Sequence, residues 1–126
     1  MSDTDSHESR DVAREYFHSW TSRDFDTAIG LLSRDLAVEV PINAYPTKQS
    51  FAEALVAFGG MVNDVALLAE FSRDGEAMLL YDMDVAQLGR LRIAEHLTIA
   101  GGAITRIRQI HDTAALRAAG FERPAS

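Results

Sequence analysis

"LRIAEHLTIAGGAITRIRQIHD", Leu91–Asp112, is the stretch whose reading decides the fold. Its first half alternates: Leu91, Ile93, Leu97 and Ile99 are apolar, with polar or small residues between them. A period of two marks a β-strand with one face on a core. "AGG" (100–102) interrupts, and a second strand-like run continues to His111. Two such runs joined by a glycine turn read as a hairpin. One residue breaks the alternation. Glu95 stands at a core-facing position, and an unpaired buried charge is costly. It needs a partner, a proton or a cavity.

The same pattern extends upstream. Four strands are predicted at about 65–72, 76–86, 90–99 and 103–111. Between them lie "RDG" (73–75), "QLG" (87–89) and "AGG" (100–102), each read as a three-residue loop with glycine in the left-handed last position. Before residue 65 the spacing is helical. Val12, Tyr16 and Trp20 lie four apart, flanked by Ala13 and Phe17, on an aromatic buried stripe. A second helix carries Phe25, Ala28, Ile29, Leu31 and Leu32. "LAVEVP", Leu36–Pro41, is a short strand stopped by proline. A third helix runs from Ser50 to Phe58 and ends at Gly59-Gly60. Residues 1–8 read as a disordered, solvated lead-in, and residues 113–126 as a tail or short helix.

This order predicts one α+β domain over residues 1–126. Its core is a cone-shaped, curved antiparallel sheet, made of the four-strand meander plus the short N-terminal strand. Three N-terminal helices cover it, the first closing the open side.

Composition narrows the function. The chain has 47% hydrophobic and 25% charged residues, the balance of an ordinary globular protein. No 18-residue apolar run suggests a membrane span, and the polar, acidic start is unlike a secretory signal. A cytoplasmic location is the expectation. Zero cysteines remove disulfides, thiolate metal sites and cysteine nucleophiles. A net charge of −7 argues against nucleic acid or anionic membrane as partner. There is no G-x-S-x-G, G-x-G-x-x-G or P-loop, so neither a serine triad nor a nucleotide cofactor is implied. Asp82 and Asp84 lack a third ligand at suitable spacing, so neither a cofactor nor a metal is expected.

Register decides which side chains meet. With three residues in "QLG", Val85 pairs with Leu91, Asp84 with Arg92, and Tyr81 faces Glu95. The inner face then holds Tyr81, Met83, Val85, Leu91, Ile93, Glu95 and Leu97; Asp82, Asp84, Arg92 and His96 go outside. With three residues in "AGG", Glu95 pairs with Ile107, and Gln109 and His111 join the inner face. A second register, with Arg108 opposite Glu95 in a buried salt bridge, stays open at this level. In the first register, Glu95, Tyr81, Gln109 and His111 share an apolar concave surface with Tyr16 and Trp20. A few convergent polar groups in an apolar hollow are the mark of a small-molecule site.

The element order, with "REYFHSWTSRDFDTAIGLLSRDLAVEVP" and "LRIAEHLTIAGGAITRIRQIHD", resembles the nuclear transport factor 2-like superfamily, in its SnoaL-like and ketosteroid-isomerase-like branch. The resemblance covers about Val12 to Asp112. It implies that Tyr16 stands at the oxyanion-hole tyrosine of the ketosteroid isomerases, and Glu95 at their second donor, a protonated aspartate. The position of their general base, at the end of the "V-E-x-P" strand, is Val40. Steroid isomerisation by that mechanism is therefore not expected. Limonene-epoxide-hydrolase-like members need an Asp–Arg–Asp set, and Gln109 stands where one of those aspartates should be. Polyketide-cyclase-like members need only a cavity acid, which Glu95 or His111 supplies.

The expected catalytic residues are therefore Glu95, Tyr16 and His111. Trp20, Val40, Asn43, Tyr81, Met83, Leu97, Ile107 and Gln109 are the expected substrate contacts. The expected activity is cofactor-free acid/base chemistry on a hydrophobic small molecule, of the isomerase, cyclase or hydratase kind. The alternative is a ligand-binding or association module with no chemistry. Family likeness further implies a homodimer through the outer face of the sheet.

Overall fold

The computed structural model describes the backbone of residues 2–120 and the side chains of residues 8–120. The chain runs α1 (Ser2–Thr21), α2 (Phe25–Gly30), β1 (Leu32–Glu39), α3 (Lys48–Gly59), β2 (Val62–Arg73), β3 (Glu76–Val85), β4 (Gly89–Ala100), β5 (Ala103–Ile110) and α4 (Ala114–Ala118). This is the α+β architecture read from the sequence, with helices collected at the N-terminal side. The five strands form one open sheet in the order β1-β5-β4-β3-β2. It is mixed rather than wholly antiparallel, because β1 joins β5 in parallel. Among the described residues no helix is long and apolar enough to cross a membrane.

Local chemistry sets the boundaries. α1 already includes residues 2–8, which were expected to be a disordered lead-in. It buries Ser9, Val12, Ala13, Tyr16, Ser19 and Trp20, a stripe at helical spacing, against the sheet. The Ser9 hydroxyl accepts from the Gly75 N–H at 3.0 Å, tying α1 to the β2–β3 turn. α2 is shorter than expected. Gly30 ends it, Leu31 caps it, and Leu32 opens β1 beside Ile104. α3 starts with a reciprocal capping box between Thr47 and Ser50. α4 is the predicted short C-terminal helix; residues 121–126 of that tail lie outside the described residues.

All three hairpin turns differ from the three-residue loops read from the sequence. The first loop is Asp74-Gly75 and the last is Gly101-Gly102, both of two residues. The middle loop has three, Ala86–Leu88, one position earlier than expected. Gly101 and Gly102 both have positive φ (59° and 77°), the geometry that twists a two-residue hairpin correctly. The inner face survives these changes. Moving the middle loop by one residue slides β3 against β4 by two, so Tyr81 pairs with Ile93 and Leu79 with Glu95.

At β4–β5 a bulge restores the face. The Gly-Gly turn pairs Ala100 with Ala103 and Ile99 with Ile104. Continued unbroken, that ladder brings Arg108 opposite Glu95. Instead Thr105 is skipped and Thr98 pairs with Arg106. Ile104 and Ile107 are both fully buried, and a bulge between them lets both point inward. Glu95 therefore faces Gln109 rather than Ile107, and Arg108 lies outside, near Glu39 at 3.7 Å. The buried salt bridge is excluded.

Candidate functional site

The inner face of the sheet, α1, α3 and the loop after β1 surround a cavity of about 430 Å³. Its walls follow from the elements. Tyr16 and Trp20 lie one helical turn apart on α1. Phe51, Leu55 and Phe58 form the apolar stripe of α3. Alternate residues of β3 and β4 supply Tyr81, Met83, Leu91, Ile93 and Glu95. Gln109 and His111 come from the end of β5 and just beyond it. Asn43, Ile42 and Tyr45 sit on the β1–α3 loop. Asn43 adopts a left-handed φ of 65°, which asparagine tolerates well, and its amide donates to the Tyr45 hydroxyl at 3.4 Å.

Glu95 is 1% exposed, yet its carboxyl belongs to the cavity wall. Gln109 Nε2 donates to Oε2 at 2.6 Å, and the Tyr81 hydroxyl donates to Oε1 at 3.3 Å. Burial pushes its pKa up to about 7, against the pull of these two donors. The phenols of Tyr16 and Tyr81 are raised well above the usual range, first by burial and then by the nearby Glu95 charge. The rings of Phe17, Trp20 and Tyr81 pack together with centroids 5.0–5.8 Å apart, fixing Tyr81 behind its hydroxyl. A carboxyl poised near neutrality in an apolar cavity is able to give or take a proton.

Of the residues singled out from sequence, the structure gathers Glu95, Tyr16, His111, Trp20, Val40, Asn43, Tyr81, Met83 and Gln109 around this one cavity. Leu97 and Ile107 are not on its wall. Both are fully buried in the core, where apolar side chains from neighbouring strands close over them. His111 stands half-buried, its Nδ1 3.0 Å from the Asp112 carbonyl. Val40 lies on the wall where the resemblance looks for a base, and Glu95 is the only carboxyl among the described lining residues. The α3 wall was missed, although Phe51, Leu55 and Phe58 at helical spacing carry the signal. On the outer face, Arg92 grips Asp82 through two bonds, of 2.7 and 2.9 Å. This pair replaces the expected Asp84–Arg92 pairing. No group of three or more His, Asp or Glu side chains among the described residues is placed to hold a metal.

The chain matches no family profile and no curated protein sequence. Solved structures resemble it closely. A protein from Kribbella flavida, described only as of known function, is 30% identical, with a TM-score of 0.79 over 86% of this chain and 90% of that one. An NTF2-like protein of unknown function from Cytophaga hutchinsonii is 16% identical, with a TM-score of 0.77 over 86% and 94%. A candidate ketosteroid isomerase from Kribbella flavida is 18% identical, with a TM-score of 0.75 over 97% and 86%. At the last two identities the likeness speaks for the fold alone.

Proposed function

We propose that this chain, which has the nuclear transport factor 2-like fold, binds a hydrophobic small molecule in the cavity and transfers a proton to or from it through Glu95. One observation carries this reading. A single carboxyl, with its pKa pushed up to about 7, faces an otherwise apolar cavity of about 430 Å³. The reaction is cofactor-free isomerisation, cyclisation or hydration. Tyr16 donates to an oxygen of the substrate, and among the described residues its hydroxyl has no hydrogen bond to spend elsewhere. His111 relays protons at the rim. Trp20, Val40, Asn43, Tyr81, Met83 and Gln109 contact the substrate.

A second reading is a binder without chemistry, favoured by Val40 at the position of the missing base. Under either reading the protein works as a homodimer through the outer sheet face, without nucleic acid or membrane. A cytoplasmic setting suits its cysteine-free sequence.

Trp20 is the sole tryptophan and lies on the cavity wall, so its fluorescence reports occupancy. A panel of hydrophobic ketones, epoxides and enol lactones is titrated against the native protein and Glu95→Gln. Saturable change in the native protein is expected, with turnover lost at least 100-fold in Glu95→Gln while binding remains, the scale of a general acid or base. Equal turnover in both removes Glu95 from the chemistry. Binding with no turnover in either leaves the binder.

A further inference from the structure

Every hydrogen bond that reaches Glu95 points toward its oxygens. Gln109 Nε2 donates to one and the Tyr81 hydroxyl to the other. Two donors, one per oxygen, is the pattern a carboxylate anion asks for. An anion in an apolar cavity also asks for a counter-charge, and the described wall holds no permanent cation. No lysine or arginine stands among the described lining residues. Arg108, the one cation the sequence offered to Glu95, is turned outward by the Thr105 bulge. The walls near the carboxyl are aromatic: Tyr16, Trp20 and Tyr81, the last two with centroids 5.8 Å apart. Aromatic faces attract cations. A net charge of −7 on the whole chain adds to that pull.

We propose that the cavity selects a hydrophobic ammonium, whose charged nitrogen pairs with the Glu95 carboxylate while its apolar body fills the space beneath α1 and α3. This rests on the reading of the cavity as a small-molecule site, and holds with or without turnover. The ammonium displaces the Glu95 proton to solvent and leaves the carboxylate, the base form of its acid–base role. The Tyr16 hydroxyl is then left for an oxygen on the same ligand. Anionic ligands are disfavoured, because no lysine or arginine on the described wall compensates them and Glu95 repels them.

The other titratable groups around the cavity are Tyr16 from α1, Tyr45 from the β1–α3 loop, Tyr81 from β3 and His111 beyond β5; the α3 wall offers none. Burial pushes the Glu95 pKa up to about 7, and His111 is the one imidazole on the described wall. Their protonation opposes cation binding in the same sense, so the variant must separate them.

Three probes of one shape make the test: adamantan-1-amine, adamantan-2-one and adamantane-1-carboxylate, titrated calorimetrically into native protein and Glu95→Gln at pH 6, 7 and 8. The amine stays cationic throughout. It is expected to bind tightest, and about tenfold more tightly at pH 8 than at pH 6, because its binding-competent partner is the ionised fraction of a group with pKa about 7. Repeating the pH 6 titration in buffers of different ionisation enthalpy should show nearly one proton released per amine bound. The carboxylate should not bind. In Glu95→Gln, amine affinity and its pH slope are both lost, while the ketone still binds. A slope that persists in the variant assigns it to His111 and overturns the proposal. So does a ketone that binds the native protein better than the amine and weakens above pH 7. That result leaves the cavity a small-molecule site, whereas no binding of any probe removes that reading too. If Glu95→Gln fails to fold, His111→Gln separates the two groups: a slope of about tenfold that survives in it belongs to Glu95, and a slope lost with His111 overturns the proposal.

Discussion

At Glu95, burial and hydrogen bonding pull in opposite directions, and burial wins. The folded protein holds its carboxyl proton up to about pH 7, whereas the unfolded chain releases it near 4.5. Below about pH 4.5 both states are protonated and the group is neutral to stability. Between 4.5 and 7 the unfolded chain loses its proton first, so stability falls as pH rises. Above 7 the deficit is constant, on the order of 3 kcal/mol. Glu76 and Asp82 act in the opposite sense. Their carboxyls are held below the usual range, Glu76 first by His96 and then Arg73, and Asp82 by Arg92, so what they contribute is lost as pH falls. The Glu95 contribution is therefore read as a difference. Urea unfolding of native protein and Glu95→Gln across pH 4–8 should show the variant gaining on the native protein by about 3 kcal/mol as pH rises from 4.5 to 7, then running parallel. A constant difference over that range would mean that Glu95 titrates normally.

At the scale of elements, one extra residue in β5 decides what Glu95 meets. The two-residue Gly101-Gly102 turn starts the ladder in the register that opposes Arg108 to Glu95. The Thr105 bulge moves it on by one, and the Thr105 hydroxyl bonds the Thr98 carbonyl at 3.3 Å across that point. Deleting Thr105 leaves Ile104 and Ile107 on the inner face, because Arg106 then takes the outward position between them. The deletion variant is expected to fold, keep Gln109 opposite Glu95, and keep the fall in stability between pH 4.5 and 7 described for the native protein. If Arg108 turned inward instead, its charge would hold Glu95 ionised and that fall would vanish. The spacing of Ile104 and Ile107, three apart in a strand, was the legible sign of the bulge. A strict period of two sends one of them outside, so burying both requires one unpaired residue.

Across the whole molecule, the sheet has a wet face with an apolar band. Ala69, Leu80, Ala94 and Ile110 lie in register across four strands, and Phe71 sits opposite Met78 beside them. Phe71 is 72% and Ile110 74% exposed, unusual for large apolar side chains. The Asp82–Arg92 pair flanks this band on one side, and Glu76, His96 and Arg108 flank it on the other. Mixed charges around an apolar centre suit a two-fold contact of the face with itself. Sedimentation equilibrium should find a dimer at micromolar concentration, and the double variant Phe71→Glu/Ile110→Asp should be a monomer with an unchanged Trp20 response to ligand. A monomeric native protein would end that assignment.

The sequence by itself determined the element order, the strand faces and the carboxyl on the inner side. These follow from apolar periodicity, which burial enforces residue by residue: Tyr81, Met83, Leu91, Ile93 and Glu95 all point inward as read. Tertiary structure alone decided the partners. Loops of two or three residues preserve or exchange faces according to a single-residue count that local sequence leaves open, and here a bulge settled it in favour of Gln109. The same packing put Leu97 and Ile107 in the core and brought α3 round as the cavity's far wall. Whether an inward side chain lines a space or fills one depends on what packs against it from distant elements.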